Sequence, residues 1–291
     1  MPELPEVETI VRDLNKYILG RKIEDIWSDF KKIVKKPRDF EVFKKELIGT
    51  KIEGLKRRGK NILFELSGDK TLLIHQKLTG HLLLGKWELE KGKWQAKIPG
   101  PLTEDPMNKF LHLIFFLDDG RQLALSDLRK FAKVELWDKV ELENSEEIKS
   151  LGPEPLEKSF TFEKFKKVLP EKGKIKQVLM DQTVIAGIGN IYSDEILWQA
   201  KIHPFKDVSK LSESNLKKIY QAIKEILPKA IELGGESISD FRRISGERGG
   251  FDHLRKVYRR EGEKCPRCGT IIKKVKLAGR SAHFCPSCQK I

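Results

Sequence analysis

The chain of 291 residues is short of three things: long apolar stretches, cysteines outside its last 27 positions, and acidic side chains to balance the basic ones. Each shortage excludes something. The longest conspicuous apolar run, Leu111 to Leu117, is about a third of what a membrane-spanning helix needs. No basic-then-apolar leader opens the chain, so a cytoplasmic protein that does not engage membranes is expected. With all 4 cysteines between Cys265 and Cys288, a disulfide framework is excluded for the bulk of the chain, and their pairing pattern suits a metal better than disulfides. The 57 Lys+Arg against 43 Asp+Glu give +14 and a pI near 9.4, which points to a polyanionic partner, nucleic acid first. Charge alone leaves RNA and anionic lipid open. Its distribution says more, because Arg242 to Ile291 hold 14 Lys+Arg and 4 Asp+Glu.

What is present begins at the first residues, Met1-Pro2-Glu3-Leu4-Pro5-Glu6. Loss of Met1 makes Pro2 a secondary amine beside the Glu3 carboxyl. An α-amino group titrates near ~8 and a lysine near ~10.4, so the terminal nitrogen is the better nucleophile at neutral pH. Its attack on an aldehyde-level carbon gives an iminium that cannot lose its charge by N-deprotonation, an electron sink for eliminations. Glu3 is placed to give or take protons. The plainer reading is an ordinary chain start, with Pro5 in a helix's first turn and Glu6 and Glu8 favoured by its dipole.

A hydrophobic content of 39% over this length supports two cores and a small third module. Val7, Ile10, Val11, Leu14, Tyr17 and Ile18 repeat at helical spacing up to Gly20. Short apolar segments then alternate with Gly54, Gly59, Gly68 and Gly80, and Asp118-Asp119-Gly120 marks a second hairpin between Leu111–Leu117 and Arg121–Leu125. The stretch from Lys91 to Asn108, with three prolines, is expected as a mobile loop. Beyond Gly152-Pro153-Glu154-Pro155 the period is helical over Phe162–Val168, Ile175–Met180, Asn190–Ala200 and Glu213–Leu233. The glycines of Asp181 to Asn190 allow a doubled turn that turns backbone N–H groups of the next helix outward, a phosphate-binding geometry. Lys172, Lys174 and Lys176 precede it. Glu236 to Glu263 is polar, basic and glycine-containing, and is expected to be flexible.

The fold class read from this is α+β and multi-domain. An N-terminal β-sandwich domain with a leading helix covers residues 1–137, a linker 138–155, and a helical domain 156–241. A loop region follows over 242–263, and a β-hairpin finger over 264–291. Cys265-Pro266-Arg267-Cys268 and Cys285-Pro286-Ser287-Cys288 frame a hairpin of 16 residues, the spacing of a four-thiolate site for one structural zinc ion, with no position left for water. The hairpin tip carries Lys276, Gly279 and Arg280, a place to offer a guanidinium to phosphate.

Taken together, Pro-Glu-Leu-Pro-Glu-Val-Glu from Pro2, Arg57-Arg58-Gly59-Lys60, Gly152-Pro153-Glu154-Pro155-Leu156, Gly187-Ile188-Gly189-Asn190-Ile191-Tyr192 and the four-cysteine finger with Arg280 resemble the bacterial formamidopyrimidine-DNA glycosylases. The likeness runs over nearly the whole chain. It implies a bifunctional glycosylase and abasic-site lyase of base-excision repair that removes 8-oxoguanine and ring-opened purines from double-stranded DNA, acting as a monomer. It implies Pro2 as the Schiff-base nucleophile, Glu3 as proton donor, and Lys60 and Arg280 as acids for β- and δ-elimination. Lys60, Arg280, Asn190 and Lys172 or Lys176 would hold the phosphates that flank the lesion. Leu78, Arg129 and Phe131 would fill the hole left by the extruded nucleotide. The helical domain would contain the family's helix-two-turn-helix, and 242–263 its lesion-recognition loop. Leu78 stands where the family has methionine, Lys130 where a second arginine is usual, and Phe110 at the position of a DNA-contacting histidine, with His112 retained. Two other readings are an endonuclease VIII-like enzyme for oxidised pyrimidines and a non-catalytic zinc-ribbon nucleic-acid binder.

Overall fold

A computed structural model describes residues 1–237 and 241–291. Along the chain, α1 (Leu4–Ile18) is followed by β1 (Ile23–Ser28), β2 (Val34–Lys36), α2 (Phe40–Leu47), β3 (Ile52–Arg58), β4 (Asn61–Leu66), β5 (Lys70–His75) and β6 (Gly80–Gly85). Next come β7 (Trp87–Glu90), β8 (Lys93–Ala96), β9 (Leu111–Leu117), β10 (Gln122–Asp127), β11 (Lys133–Asp138), and the short helices α3 (Lys139–Asn144) and α4 (Glu146–Lys149). The remainder is α5 (Phe162–Val168), α6 (Ile175–Met180), α7 (Asn190–Ala200), α8 (Glu213–Glu232), β12 (Lys273–Leu277) and β13 (Arg280–Phe284). These elements form two compact units, Met1–Ile148 with Gly234–Gly250, and Lys149–Leu233 with Phe251–Ile291.

In the first unit a four-stranded sheet (β1-β9-β10-β6) and a five-stranded sheet (β2-β11-β5-β4-β3) share one core. Alternation decides which side chains enter it: Ile62 and Phe64 from β4, Leu72 and Ile74 from β5, Phe115 and Leu117 from β9. Helix α1 joins the same core through Val7, Ile10, Val11, Leu14 and Ile18, the stripe read from its 3.6-residue period. The segment expected as a mobile loop is instead a packed cover. β7 and β8 pair as a hairpin, and Trp87 and Leu102 bury against Leu83, Leu111, Ile114 and Ala124 on the far face of the four-stranded sheet. The Trp87 backbone N–H donates to Gln122 Oε1 at 2.6 Å, and its indole N–H to Asn108 Oδ1 at 2.8 Å, fixing both ends of the segment. Pro99 and Pro101 lie in a bend and a turn of this cover, and Pro106 opens the short 3-10 helix Pro106–Phe110.

Part of the stretch expected to be flexible also carries fixed contacts. Phe241 and Ile244 enter the first unit's core, and Arg243 makes two bonds to Asp13, at 3.0 and 2.7 Å. Residues 238–240 of that stretch lie outside the described residues. In the second unit the four expected helices form where the period placed them. α8 is capped by Ser212 and Asn215 and buries Ile219, Ile223, Leu227 and Ile231, continuing through Pro228. Among the described residues no helix is long and apolar enough to cross a membrane.

Candidate active site and nucleic-acid contacts

In the first unit the start of α1 is built to hold Glu3. Pro2 and Glu3 are both buried. Glu3 is the N-cap: its carboxylate accepts the Glu6 backbone N–H, and Glu6 Oε2 accepts the Glu3 N–H at 2.8 Å. This reciprocal capping satisfies helix-end donors and fixes the angle at which the first residues leave the helix. Glu6 Oε1 also accepts the Glu236 N–H at 2.8 Å, which seats the chain after Gly235 on this turn. Gly235 has φ +84°, and a Cβ there would lie 3.0 Å from the Glu6 carboxylate. Only glycine meets both conditions.

Lys60 is buried in the turn between β3 and β4, and near it stands a residue that sequence reasoning missed, His75 at the end of β5. Burial, and then the charges of Lys77, Lys60 and Lys133, push the His75 imidazole down to about 3. It is neutral at physiological pH. Its Nδ1 accepts the Lys77 N–H at 2.9 Å, so the ring proton sits on Nε2 as a donor. A neutral donor among lysine ammoniums suits a phosphate oxygen. The available signal was a histidine closing a strand beside a run of basic turns.

Leu78 lies in the turn between β5 and β6, and Arg129 and Phe131 in the turn between β10 and β11. Arg129 and Phe131 are exposed, with the guanidinium 4.5 Å from the ring centroid. Phe110 ends a short 3-10 helix, Pro106–Phe110, and the His112 ring is held within the fold, its Nδ1 2.8 Å from Asp29 Oδ1.

In the second unit the turn between α6 and α7 is clamped by one amide. Gln182 Nε2 donates to the carbonyls of Met180 and Ile188 at 2.7 and 2.8 Å, and its Oε1 accepts the Gly187 N–H at 2.9 Å. This leaves Asn190 as the first residue of α7, half-buried, with its Nδ2 3.4 Å from Ser281 Oγ. Lys172 is exposed. Lys176 is not, and here the expectation of a surface phosphate contact gives way. Its ammonium is buried, 2.5 Å from Asp194 Oδ1 and 2.7 Å from the Ser281 carbonyl. Asp194 Oδ2 meets the His283 backbone N–H at 3.0 Å and its ring Nδ1 at 2.9 Å. Lys176 therefore secures the strand that begins at Arg280. Arg280 itself is exposed beside the Ala278-Gly279 turn, whose two positive φ values, 46° and 78°, fit a two-residue hairpin loop.

The sulfurs of Cys265, Cys268, Cys285 and Cys288 all lie within 4.8 Å of one another. Zinc–thiolate bonds of about 2.3 Å in a tetrahedron put sulfurs roughly 3.8 Å apart, so the donor set fits the ion. The Trp198 indole N–H lies 3.5 Å from Cys265 Sγ, and Trp198, Val257, Ile272, Cys265 and Cys285 make a small core with Cys288 packed against it. Glu195, its carboxyl pushed up by burial against three opposing hydrogen bonds, accepts the N–H groups of Lys256, Val257 and Tyr258 and anchors the chain entering the finger.

Residues 1–134 match the sequence model described as the formamidopyrimidine-DNA glycosylase N-terminal domain, and residues 151–242 that of the H2TH domain of the same enzymes. The chain belongs to the formamidopyrimidine-DNA glycosylase family. Residues 262–291 match a zinc finger found in these proteins and in isoleucyl-tRNA synthetases. The Streptococcus thermophilus formamidopyrimidine-DNA glycosylase is 39% identical over 291 residues, covering 100% of both chains. The Bacillus cereus enzyme is 38% identical over 290 residues, 99% of each chain. Among solved structures, a Lactococcus lactis variant bound to DNA containing Fapy-dG superposes with a TM-score of 0.87 at 40% identity, covering 100% of both chains. The Lactococcus lactis protein with abasic-site DNA gives 0.86 at 40% identity, covering 99% of this chain and 100% of that one. The architecture is that of the family: a helix and β-sheets first, the H2TH domain next, and a finger built for one structural zinc.

Proposed function

We propose that the chain excises oxidised and ring-opened purines from double-stranded DNA and then cuts the strand as an abasic-site lyase, a cytoplasmic monomer in base-excision repair. The observation that carries this reading is the placing of Pro2 and Glu3, buried and locked by reciprocal capping at the first turn of α1, in a chain that matches glycosylases along its full length. With Met1 removed, the Pro2 nitrogen attacks C1′ of the damaged nucleoside. The base leaves with the electron pair of the glycosidic bond and takes a proton from Glu3. The sugar ring opens as O4′ takes the proton from the attacking nitrogen, leaving an iminium. The C2′ proton then passes to the Glu3 carboxylate, and the enamine so formed expels the 3′ phosphate with the C3′–O electron pair. This gives a C2′=C3′ double bond conjugated with the restored iminium, from which a second elimination releases the 5′ phosphate. Lys60 and Arg280 act as acids for these two departures and, with Asn190 and Lys172, hold the neighbouring phosphates. His75, a neutral donor, belongs with this group. Leu78, Arg129 and Phe131 fill the space of the extruded nucleotide. The finger's zinc supplies shape and no chemistry, since four thiolates complete its coordination.

Nicking of duplexes that carry 8-oxoguanine, an abasic site or thymine glycol tests the reading. The expected result is efficient cleavage of the first two. Cleavage of thymine glycol alone among the damaged bases would move the chain to the pyrimidine-specific branch, and binding without cleavage would reduce it to a zinc-ribbon binder.

A further inference from the structure

The turns that present Leu78, Arg129 and Phe131 are neighbours by construction. Asp127 and Gly80 face one another across β10 and β6, and Lys133 and His75 across β11 and β5, so both turns pass from one sheet to the other side by side. Each contains a lysine in the left-handed region, Lys77 at φ 53° and Lys130 at φ 55°, a conformation that non-glycine residues hold only when their surroundings impose it. What imposes it on the second turn is a single fully buried carboxylate. Asp127 Oδ2 accepts the N–H groups of Phe131 and Ala132 at 2.7 Å each, and Oδ1 accepts that of Arg129 at 3.1 Å.

One hydroxyl ties the first turn to this carboxylate. Thr79, next to Leu78, donates to Asp127 Oδ1 at 2.5 Å and accepts the Arg129 N–H at 3.2 Å. We propose that Thr79 is a positioning residue, the clasp that makes Leu78, Arg129 and Phe131 enter the duplex as one preassembled wedge. The inference rests on reading those three residues as hole-filling groups. Three side chains on two independent turns must each be ordered at the moment of insertion, whereas a clasped pair of turns is ordered beforehand. The Arg129 guanidinium rests on the Phe131 ring, 4.5 Å from its centroid, so two of the three side chains already form one unit.

Thr79→Val keeps the shape and removes both hydrogen bonds; Thr79→Ser keeps both. The readout is the ratio of two single-turnover rates: excision of 8-oxoguanine from a duplex, which requires flipping, and cleavage of an abasic site in the same single strand, which does not. A 2-aminopurine opposite the lesion reports wedge entry directly. Thr79→Val should lower the ratio roughly ten- to a hundredfold, the range for losing a hydrogen bond to a charged group, and slow the fluorescence change equally. Thr79→Ser should restore it to within about threefold, as both bonds return. Leu78→Ala and Phe131→Ala test the wedge separately. If they depress the ratio while Thr79→Val does not, or if serine fails to rescue, the clasp is wrong and the wedge stands. If they leave the ratio unchanged, the wedge reading fails and the clasp falls with it.

Discussion

Lys176→Met is expected to destabilise the second unit by about 3–5 kcal/mol, the cost of stripping a partner from a buried ion pair. The geometry sets the size. The Lys176 and Asp194 side chains are 1% and 0% exposed, so the Asp194 carboxylate left behind has no water to turn to. Methionine fills the volume and, among the described residues, leaves the carboxylate with the two His283 contacts. For a unit of this size the loss corresponds to a fall in melting temperature of roughly 10–20 °C. Calorimetry of the zinc-loaded protein should show the second unit's transition moving down and the first unit's staying in place. Adding Asp194→Asn should recover more than half of the loss, because the orphaned charge goes with it. The salt dependence of DNA binding, measured below the new transition, should keep its slope. A wild-type melting temperature together with a slope reduced by ~0.9, one phosphate contact, would refute the burial argument and return Lys176 to the DNA-facing set.

Lowering the pH should weaken the first unit through His75. Its folded value of about 3 lies below the unfolded value near 6.5, so the unfolded chain takes up a proton that the folded one refuses; the penalty is absent above pH 6.5 and grows to on the order of 2 kcal/mol at pH 5. His75→Gln should flatten that acid limb in denaturant titrations at pH 7 and pH 5, and an unaltered limb would count against the assignment. Chelation of the zinc should abolish DNA binding while the unfolding transition of the first unit, which has its own core, persists; full affinity in verified zinc-free protein would contradict this. Lys60→Ala and Arg280→Ala should each reduce the salt slope by ~0.9, and unchanged slopes in both would mean that neither cation touches the backbone.

The parts of the fold legible in the sequence were those written in a long period or in several motifs at once. The stripe from Val7 to Ile18 and the apolar face of Glu213–Glu232 follow from spacing alone. The cover built on Trp87 did not, because its apolar anchors, Trp87 and Leu102, are 15 positions apart in a proline-containing segment, and only the outer face of a sheet gives them a common partner. Lys176 was misread for a similar reason. In a helix of 6 residues a lysine beside two other lysines looks solvated, and nothing local announces a carboxylate at 194 or a carbonyl at 281. His75 was overlooked since a lone histidine at a strand end has no sequence signature, and its lowered pKa comes first from burial and then from three lysines spread over more than 70 positions. The placing of Pro2 beside Glu3 at the start of α1 was readable by contrast, because adjacency in sequence is adjacency in space.

The central claim is that the Pro2 nitrogen forms the covalent bond to the sugar, and borohydride trapping measures it directly. Protein lacking Met1 is mixed with duplex DNA containing 8-oxoguanine in the presence of borohydride, and the reduced cross-link is digested and mapped by mass spectrometry. One adduct is expected, on Pro2, lost when an N-terminal extension keeps that nitrogen in an amide whose lone pair is delocalised. An adduct on a lysine, or robust base release by protein that retains Met1, would contradict it.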